Sequence, residues 1–156
     1  MKTPVTACVI SAVALFVSSH VWSQAALPEL KKQPSAQAVL NEHLDALNHC
    51  DWNRLVAQFP DDAQVNLPGG VIIKGRKGIG DLFATVCKDP KDGGLKGITL
   101  EPEQTTAIGD TFVTQWVVTA PFLTEPYKGS DAYITKDGYM QAMVTTFDGA
   151  ALKMRK

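Results

Sequence analysis

The sequence predicts a single α+β domain in which N-terminal helices pack on the concave face of a cone-shaped, curved antiparallel sheet. Helical periodicity dominates residues 36–86, whereas most of residues 95–155 has the alternation and turn signals of strands. Turns between strands are marked by Gly109-Asp110, Asp137-Gly138 and Asp148-Gly149. The helices precede the antiparallel strands along the chain, and this order predicts a sheet that is covered by helices on one face.

The first 25 residues are predicted to be a secretory signal peptide. Lys2 precedes an apolar stretch from Val5 to Val17, and Ser23-Gln24-Ala25 has the small-x-small pattern of a cleavage site. The stretch is shorter than the roughly 20 residues that a membrane-spanning helix needs. We expect cleavage after Ala25, with cleavage after Ser23 or a retained N-terminal anchor as alternatives. The protein is therefore expected to be periplasmic or secreted, with no membrane span in the mature chain.

The remaining chain has the size and charge of one globular domain. Residues 26–34 form a proline-containing lead-in, and residues 35–156 form the predicted domain. Without Lys2, the 15 basic residues of the chain become 14 against 16 acidic ones, so the net charge is −2. No basic run is present, and we expect no nucleic-acid partner.

The mature chain contains two cysteines, Cys50 and Cys87, because Cys8 falls in the signal peptide. Export places them in a compartment where disulfides persist, which favours a Cys50–Cys87 disulfide. Two buried free thiols are the alternative.

Three helices are predicted in the first half of the domain. Ser35 can cap a first helix over residues 36–49, and Asp51 can cap a second over 52–58, which Pro60 ends. A short hairpin follows, with strands at 63–67 and 71–73 around Pro68-Gly69-Gly70. After Gly75 a third helix runs to Val86, and residues 88–94 form a polar loop.

The second half is predicted to be strands. They are expected at 95–108, 111–122, 139–147 and 151–155, with a mobile stretch at 123–136. Nucleotide-binding, metalloprotease and nucleophile-elbow motifs are absent from the sequence. His43 and His49 are six residues apart and do not share a helix face, so no metal site is predicted, and no cofactor is expected.

The block from Cys50-Asp51-Trp52 through LVAQFPDDAQVNLPGG to Gly75–Phe83 resembles the nuclear-transport-factor-2-like superfamily. It is most similar to the SnoaL-type polyketide cyclase and ketosteroid isomerase branches, and the resemblance covers nearly all of residues 35–155. The resemblance implies a cystatin-like cone with a pocket between the helices and the sheet. Since the superfamily contains enzymes and binding domains, it does not imply one activity.

Three positions test whether the resemblance extends to ketosteroid isomerase chemistry. His43 matches the tyrosine that donates a hydrogen bond to the oxyanion, Leu67 matches the general-base aspartate, and Met143 matches the second, aspartate donor. Because both carboxylates are replaced, isomerisation by the usual route is not expected. Whether the domain is an enzyme stays open, with the replacements arguing against it.

The predicted site is a mostly apolar pocket with His43 as its main polar contact and its candidate catalytic residue. If Leu67 and Met143 face the pocket, strand alternation brings Val65, Tyr139 and Gln141 with them. The predicted pocket residues are His43, Trp52, Phe59, Val65, Leu67, Phe83, Trp116, Tyr139, Gln141 and Met143. For His43 the alternative is a core histidine with one nitrogen bonded to a neighbour, and for the pocket it is a filled core with no cavity.

Three functions are compatible with these patterns. The first is binding of a small apolar or aromatic molecule in the conical pocket. The second is a cofactor-independent lyase, isomerase or cyclase that uses His43 as acid or base. Such chemistry needs a second titratable group, for which Asp62, Asp131, Asp137 and Tyr139 are candidates. The third is a dimeric protein-interaction module whose contact is the outer face of the sheet.

Overall fold

A computed structural model describes residues 26–155. The helices are α1 (Ala36–Asn48), α2 (Trp52–Val56) and α3 (Gly75–Val86). The strands are β1 (Gln64–Leu67), β2 (Val71–Lys74), β3 (Thr99–Ile108), β4 (Thr111–Thr119), β5 (Tyr127–Lys136) and β6 (Tyr139–Thr146). The predicted signal peptide lies outside the described residues. Within those residues, no helix is long and apolar enough to cross a membrane.

The strands form one six-stranded sheet in the order β2-β1-β6-β5-β4-β3. All neighbouring strands are antiparallel except β1 and β6, which run parallel. The predicted α+β fold is confirmed, with this one parallel pair as an addition. A parallel pair needs a long connection, and β2, α3, β3, β4 and β5 all lie between β1 and β6 along the chain.

Side-chain caps define where α1 and α2 begin. The Ser35 hydroxyl accepts a hydrogen bond from the Ala38 amide over 3.2 Å. The Asp51 carboxylate accepts one from the Arg54 amide over 3.1 Å. Both contacts satisfy amide groups that the first helical turn leaves without a partner. α1 then buries His43 together with Val39 and other apolar residues on one face.

Gly75 lets the chain pass from β2 directly into α3. Its φ angle is +76°, in the left-handed region that residues with a Cβ rarely adopt. A Cβ added there would also lie 3.3 Å from the Asp61 carbonyl oxygen. The glycine therefore fixes the position of α3 against the sheet, and α3 supplies one wall of the cavity described below.

In the part of the chain that the structure describes, the core consists of two apolar clusters. The first includes Val39, Phe59 and Ile79 and fills the space between the helices and the sheet. The second includes Leu100 and Trp116 and lies towards the β3–β4 side. Leu44 and Leu47 of α1 pack against both clusters, so α1 spans the concave face.

Two predictions for the second half of the chain are wrong. Residues 123–136 were expected to be mobile, but Tyr127–Lys136 is strand β5, paired with β4 on one side and β6 on the other. Residues 151–155 were expected to form a strand, but only an isolated bridge joins Met154 to Leu123. Pairing on both edges of β5 holds its first half, Lys128-Gly129-Ser130-Asp131, in strand geometry that those residues do not favour by themselves.

A disulfide joins Cys50 and Cys87, as predicted, with Cα atoms 5.4 Å apart. Cys50 follows α1 and Cys87 caps the end of α3. The bond therefore connects the C-terminal ends of the two helices that cover the sheet.

The lead-in at residues 26–34 is irregular but is hydrogen-bonded to the domain. The Lys31 amide donates to the Ala57 carbonyl over 2.8 Å, and the Gln33 amide donates to the Gly138 carbonyl over 2.9 Å.

Candidate functional site

A cavity of about 250 Å³ lies between the helices and the concave face of the sheet. Helices α1 and α3 contribute apolar side chains that include Leu47, Leu82 and Val86. Alternate residues of the strands form the opposite wall, because successive side chains point to opposite faces of a sheet. This strand wall includes Val65, Leu67, Leu100, Trp116, Val118, Met143 and Thr145.

Six of the predicted pocket residues lie on the cavity wall: His43, Val65, Leu67, Phe83, Trp116 and Met143. Trp52 and Phe59 do not. Trp52 packs against α3 instead and donates its indole N–H to the Gly80 carbonyl over 2.8 Å. Phe59 is fully buried behind His43, with ring centroids 5.9 Å apart. For these two residues, the predicted pocket position is wrong because the space beside them is filled by helix packing.

Tyr139 and Gln141 also lie off the cavity wall, and a β-bulge in β6 is the reason. Ile134 pairs with Ala142, whereas the next residue, Thr135, pairs with Met140. Gln141 is therefore an extra residue in the β5–β6 ladder, and alternation shifts by one position across it. As a result Met140 and Met143 are both buried. The inference that Tyr139 and Gln141 share the facing of Met143 is wrong.

His43 is 0% exposed and sits in an aromatic cage. Its ring lies 5.7 Å from that of Phe83 and 5.5 Å from that of Tyr133, centroid to centroid. Among the described residues, neither ring nitrogen has a hydrogen-bond partner. Burial lowers the pKa of His43 to about 4, against a smaller opposing effect of Gln58. The imidazole is therefore neutral at pH 7.

None of the four candidate partners of His43 is hydrogen-bonded to it in the described residues. Asp62 and Asp137 are exposed in turns. Asp131 instead faces the cavity from β5, with Tyr133 two residues further on the same face. The Tyr133 hydroxyl donates to Asp131 Oδ2 over 2.9 Å. The structure thus groups Asp131 with Tyr133 and leaves His43 packed against the Tyr133 ring.

Asp131 is a second polar group of the cavity whose pKa departs from its ordinary value. It is 7% exposed, and its Oδ1 has no hydrogen-bond partner among residues 26–155. Burial raises the pKa of Asp131, while the Tyr133 hydroxyl and the nearby Trp116 indole oppose that effect. The pKa of Tyr133 is raised well above its ordinary value by burial and by Asp131. Among residues 26–155, no lysine or arginine lies on the cavity wall.

Sequence reasoning named Asp131 only as a partner for His43, because it placed residue 131 in a mobile stretch. The run Tyr133-Ile134-Thr135 is aromatic and β-branched, which was the available signal for a strand. With β5 recognised, alternation would have put Asp131, Tyr133 and Thr135 on one face, and all three are buried. Within the described part of the chain, no three His, Cys, Asp or Glu residues are grouped as a metal site.

A family model described as "SnoaL-like domain" matches residues 40–148. The chain belongs to this SnoaL-like family. The family lies in the nuclear-transport-factor-2-like, ketosteroid-isomerase-like superfamily, so the resemblance found in the sequence is confirmed. The match runs from within α1 to just past the end of β6 and includes every strand of the sheet.

Solved structures share the fold at low sequence identity. An NTF2-like protein of unknown function from Cytophaga hutchinsonii is 13% identical, with a TM-score of 0.60 over 78% of this chain and 96% of that one. An LEH-like epoxide hydrolase of M. tuberculosis is 18% identical, with a TM-score of 0.56 over 72% and 82%.

The third similar structure is the epoxide hydrolase/cyclase-like enzyme SalBIII, which has a role in pyran ring formation in the polyether salinomycin. It is 14% identical, with a TM-score of 0.61 over 77% of this chain and 95% of that one. At these identities the similarities show a shared fold. The search of curated proteins found no match.

Proposed function

We propose that this SnoaL-like domain binds one small apolar or aromatic molecule in its conical cavity. The supporting observation is the wall itself, which is apolar except for a few polar side chains such as His43, Asp131 and Thr145. Small-molecule sites usually combine an apolar surface with a few polar groups that orient the ligand. His43 and Asp131 each retain a buried polar atom without a partner in the described chain, so each can orient a ligand.

The size of the cavity favours a ligand of one or two rings. Its volume is about 250 Å³. Ligand pockets usually span about 300–1,000 Å³, and an engineered cavity of about 150 Å³ accommodates benzene. A bicyclic molecule fits between these limits more readily than a tetracyclic one.

A ligand screen with cavity-blocking variants tests the proposal. Thermal shift and native mass spectrometry would be run against quinone-like, polyketide-like and steroid-like compounds, with the one- and two-ring members expected to bind. Leu67→Phe narrows the cavity and is expected to reduce binding of every hit, and His43→Phe is expected to weaken hits that hydrogen-bond to the imidazole. Leu30→Phe, at an exposed position outside the cavity, is the matched control. The proposal fails if no compound binds to the wild type. It also fails if the Leu67→Phe and Leu30→Phe variants bind the hits with equal affinity.

A second candidate function is a cofactor-independent lyase, isomerase or cyclase. The observation that favours it is Asp131, a buried carboxyl on the cavity wall with a raised pKa, which is the property of a general acid or base working nearer neutral pH. His43 has less support in this role, because it lacks a hydrogen-bonded titratable partner in the described residues. Exchange of deuterium into ring ketones that bind the cavity is expected to stop in Asp131→Asn. Binding without exchange in the wild type would leave only the binding function.

A dimer through the outer sheet face remains a prediction. Strand register places Val113, Ala132, Val144, Asn66 and Ile72 in one row across five strands on that face. Val113, Val144 and Ile72 are exposed large apolar residues. Light scattering should then give twice the monomer mass, and Val144→Lys should return it to the monomer. A wild-type monomer at high protein concentration would remove the prediction.

We also propose that the protein is exported, on the basis of the signal-peptide pattern. The Cys50–Cys87 disulfide is compatible with the oxidising compartments that export would reach. Mass spectrometry of material from the periplasm or medium should find Ala26 at the N-terminus. An uncleaved N-terminus on cell-associated protein would contradict export.

A further inference from the structure

Trp116 is a cavity residue with an unused, buried hydrogen-bond donor. The residue lies on β4, lines the cavity and is 5% exposed. Its indole N–H is buried and has no hydrogen-bond partner in the described chain. Buried polar groups in folded proteins are nearly always paired, and an indole N–H can only donate. The position therefore calls for an acceptor supplied by something that enters the cavity.

Gly129 leaves the space that the Trp116 ring occupies. The two residues are partners in the β4–β5 ladder. A Cβ at position 129 would collide with the Cζ2 and Cη2 atoms of the ring and would lie 2.9 Å from the Thr146 carbonyl oxygen. The Tyr127 ring packs beside the indole, with centroids 6.0 Å apart. The glycine leaves the space that the ring fills, so the direction of the N–H is fixed by packing.

Asp131 supplies the complementary group. Its Oδ2 already accepts from Tyr133, whereas its Oδ1 is buried and free of partners in the described residues. Trp116 pairs with Gly129 and Thr114 pairs with Asp131, so Trp116 and Asp131 are diagonal neighbours on the β4–β5 ladder, and both line the cavity. The Trp116 side chain opposes the raised pKa of Asp131 as a close hydrogen-bond donor does, although the distance and angle between the two groups do not make a hydrogen bond. A donor and a carboxyl oxygen without a partner in the described residues thus lie side by side on a mostly apolar wall.

We propose that Trp116 and Asp131 form a hydroxyl-binding subsite, which makes the ligand a one- or two-ring apolar molecule carrying a hydroxyl group. The hydroxyl oxygen accepts from the Trp116 indole, and the hydroxyl also bonds to Asp131 Oδ1. It donates to the carboxylate or accepts from the protonated acid, so the subsite is satisfied in either protonation state. This inference rests on the proposed binding function, and Trp116 is its specificity-determining residue.

The test compares two probes that differ in one group, 2-naphthol and 2-methylnaphthalene. Isothermal titration calorimetry on the wild type is expected to show about tenfold tighter binding of 2-naphthol, which corresponds to about 1.4 kcal/mol. Trp116→Phe keeps an aromatic ring and removes the donor. The Trp116→Phe variant should bind 2-naphthol and 2-methylnaphthalene with nearly equal affinity. Its affinity for 2-methylnaphthalene should differ from that of the wild type by less than about twofold.

Trp52→Phe is the matched control, because the Trp52 indole donates to Gly80 outside the cavity and should leave the ratio unchanged. The indole ¹H–¹⁵N resonance of Trp116 in the wild type gives a second readout that needs no variant. It should shift with 2-naphthol and much less with 2-methylnaphthalene.

The outcomes separate this inference from the proposed function. Equal binding of both probes by the wild type, or an unchanged preference in Trp116→Phe, overturns the hydroxyl subsite and leaves the binding function standing. Binding of neither probe counts against both. An indole resonance that responds identically to the two probes also overturns the subsite, even where Trp116→Phe fails to fold.

Discussion

The Tyr133 hydroxyl donates to Asp131 Oδ2 over 2.9 Å, so the buried carboxyl of the cavity is held by a neutral donor. A cation in that place would keep the carboxylate ionised. The neutral donors around it, which are the Tyr133 hydroxyl, the Trp116 indole and the Thr146 backbone, offset only part of the free energy of burying a charge. The raised pKa of Asp131 follows from this arrangement. Asp131 is thus a carboxyl of the cavity wall that takes up its proton more readily than an exposed aspartate does.

We predict that Asp131→Asn stabilises the protein at pH 8 by on the order of 1 kcal/mol. Because the folded-state pKa is raised, the folded protein holds a proton where the unfolded chain has released it. The contribution of Asp131 to stability is therefore greatest at low pH and is lost as the pH rises through the folded-state pKa. The gain in Asp131→Asn should accordingly shrink at pH 4.5. Urea unfolding at both pH values measures it.

Asp62→Asn, in an exposed turn, is the control for that experiment and should change stability little at either pH. An Asp131→Asn variant that is equally destabilised at pH 4.5 and pH 8 would contradict the assignment of a raised pKa.

His43 should make the protein less stable as the pH falls below 6.5. Its folded-state pKa of about 4 is below the ordinary value of 6.5, so the unfolded state binds more protons between these values. The contribution of the neutral, buried His43 to stability is fully present above pH 6.5 and is lost as the pH falls towards 4. Between pH 7 and pH 5 the loss should be about 2 kcal/mol. Urea unfolding across this window is measured in the Asp131→Asn background, because Asp131 with its raised pKa would change stability in the opposite direction.

His43→Leu should remove most of that pH dependence, although it changes the absolute stability. His49→Gln, at the exposed end of α1, should keep the wild-type slope. Equal slopes in the wild type and His43→Leu would show that the buried imidazole is not the group responsible.

The helices were predictable because their signals are local. The Ser35 and Asp51 caps are present, and α1 and α2 end within two residues of their predicted ends. β5 was missed because Lys128-Gly129-Ser130-Asp131 has little strand propensity of its own. What makes it a strand is pairing with β4 and β6, which no local pattern in the sequence reveals.

The site was predictable to the extent that it depends on alternation and resemblance. His43, Leu67 and Met143 lie on the cavity wall where the resemblance implied. Tyr139 and Gln141 do not, because the bulge at Gln141 shifts the alternation of β6, and a bulge of this kind leaves no turn residue in the sequence. The polar pair of Asp131 and Trp116 could not be anticipated without knowing that β5 lies beside β4.

Gly129→Ala should destabilise the protein by about 1–3 kcal/mol. The added methyl group would meet the Trp116 ring and the Thr146 carbonyl oxygen, and the ladder leaves the backbone little room to move. Gly149→Ala is the control, because a Cβ there has no atom within 4 Å and its φ angle is not positive. Urea unfolding of both variants gives the difference, and similar stabilities for the two would show that the Trp116 ring accommodates the methyl group.

Removing the disulfide should reduce stability and loosen the cavity. Cys50 and Cys87 are 37 residues apart, a closed loop for which the chain-entropy model gives about 4 kcal/mol. The double variant Cys50→Ser/Cys87→Ser should therefore unfold at a lower urea concentration than the wild type. Reducing agent should lower the urea midpoint of the wild type towards that of the variant and leave the midpoint of the variant unchanged. Because Leu47 and Val86 line the cavity near the two cysteines, ligands found by the screen should bind the variant more weakly. Two free thiols in wild-type protein that was denatured without reductant would contradict the bond itself.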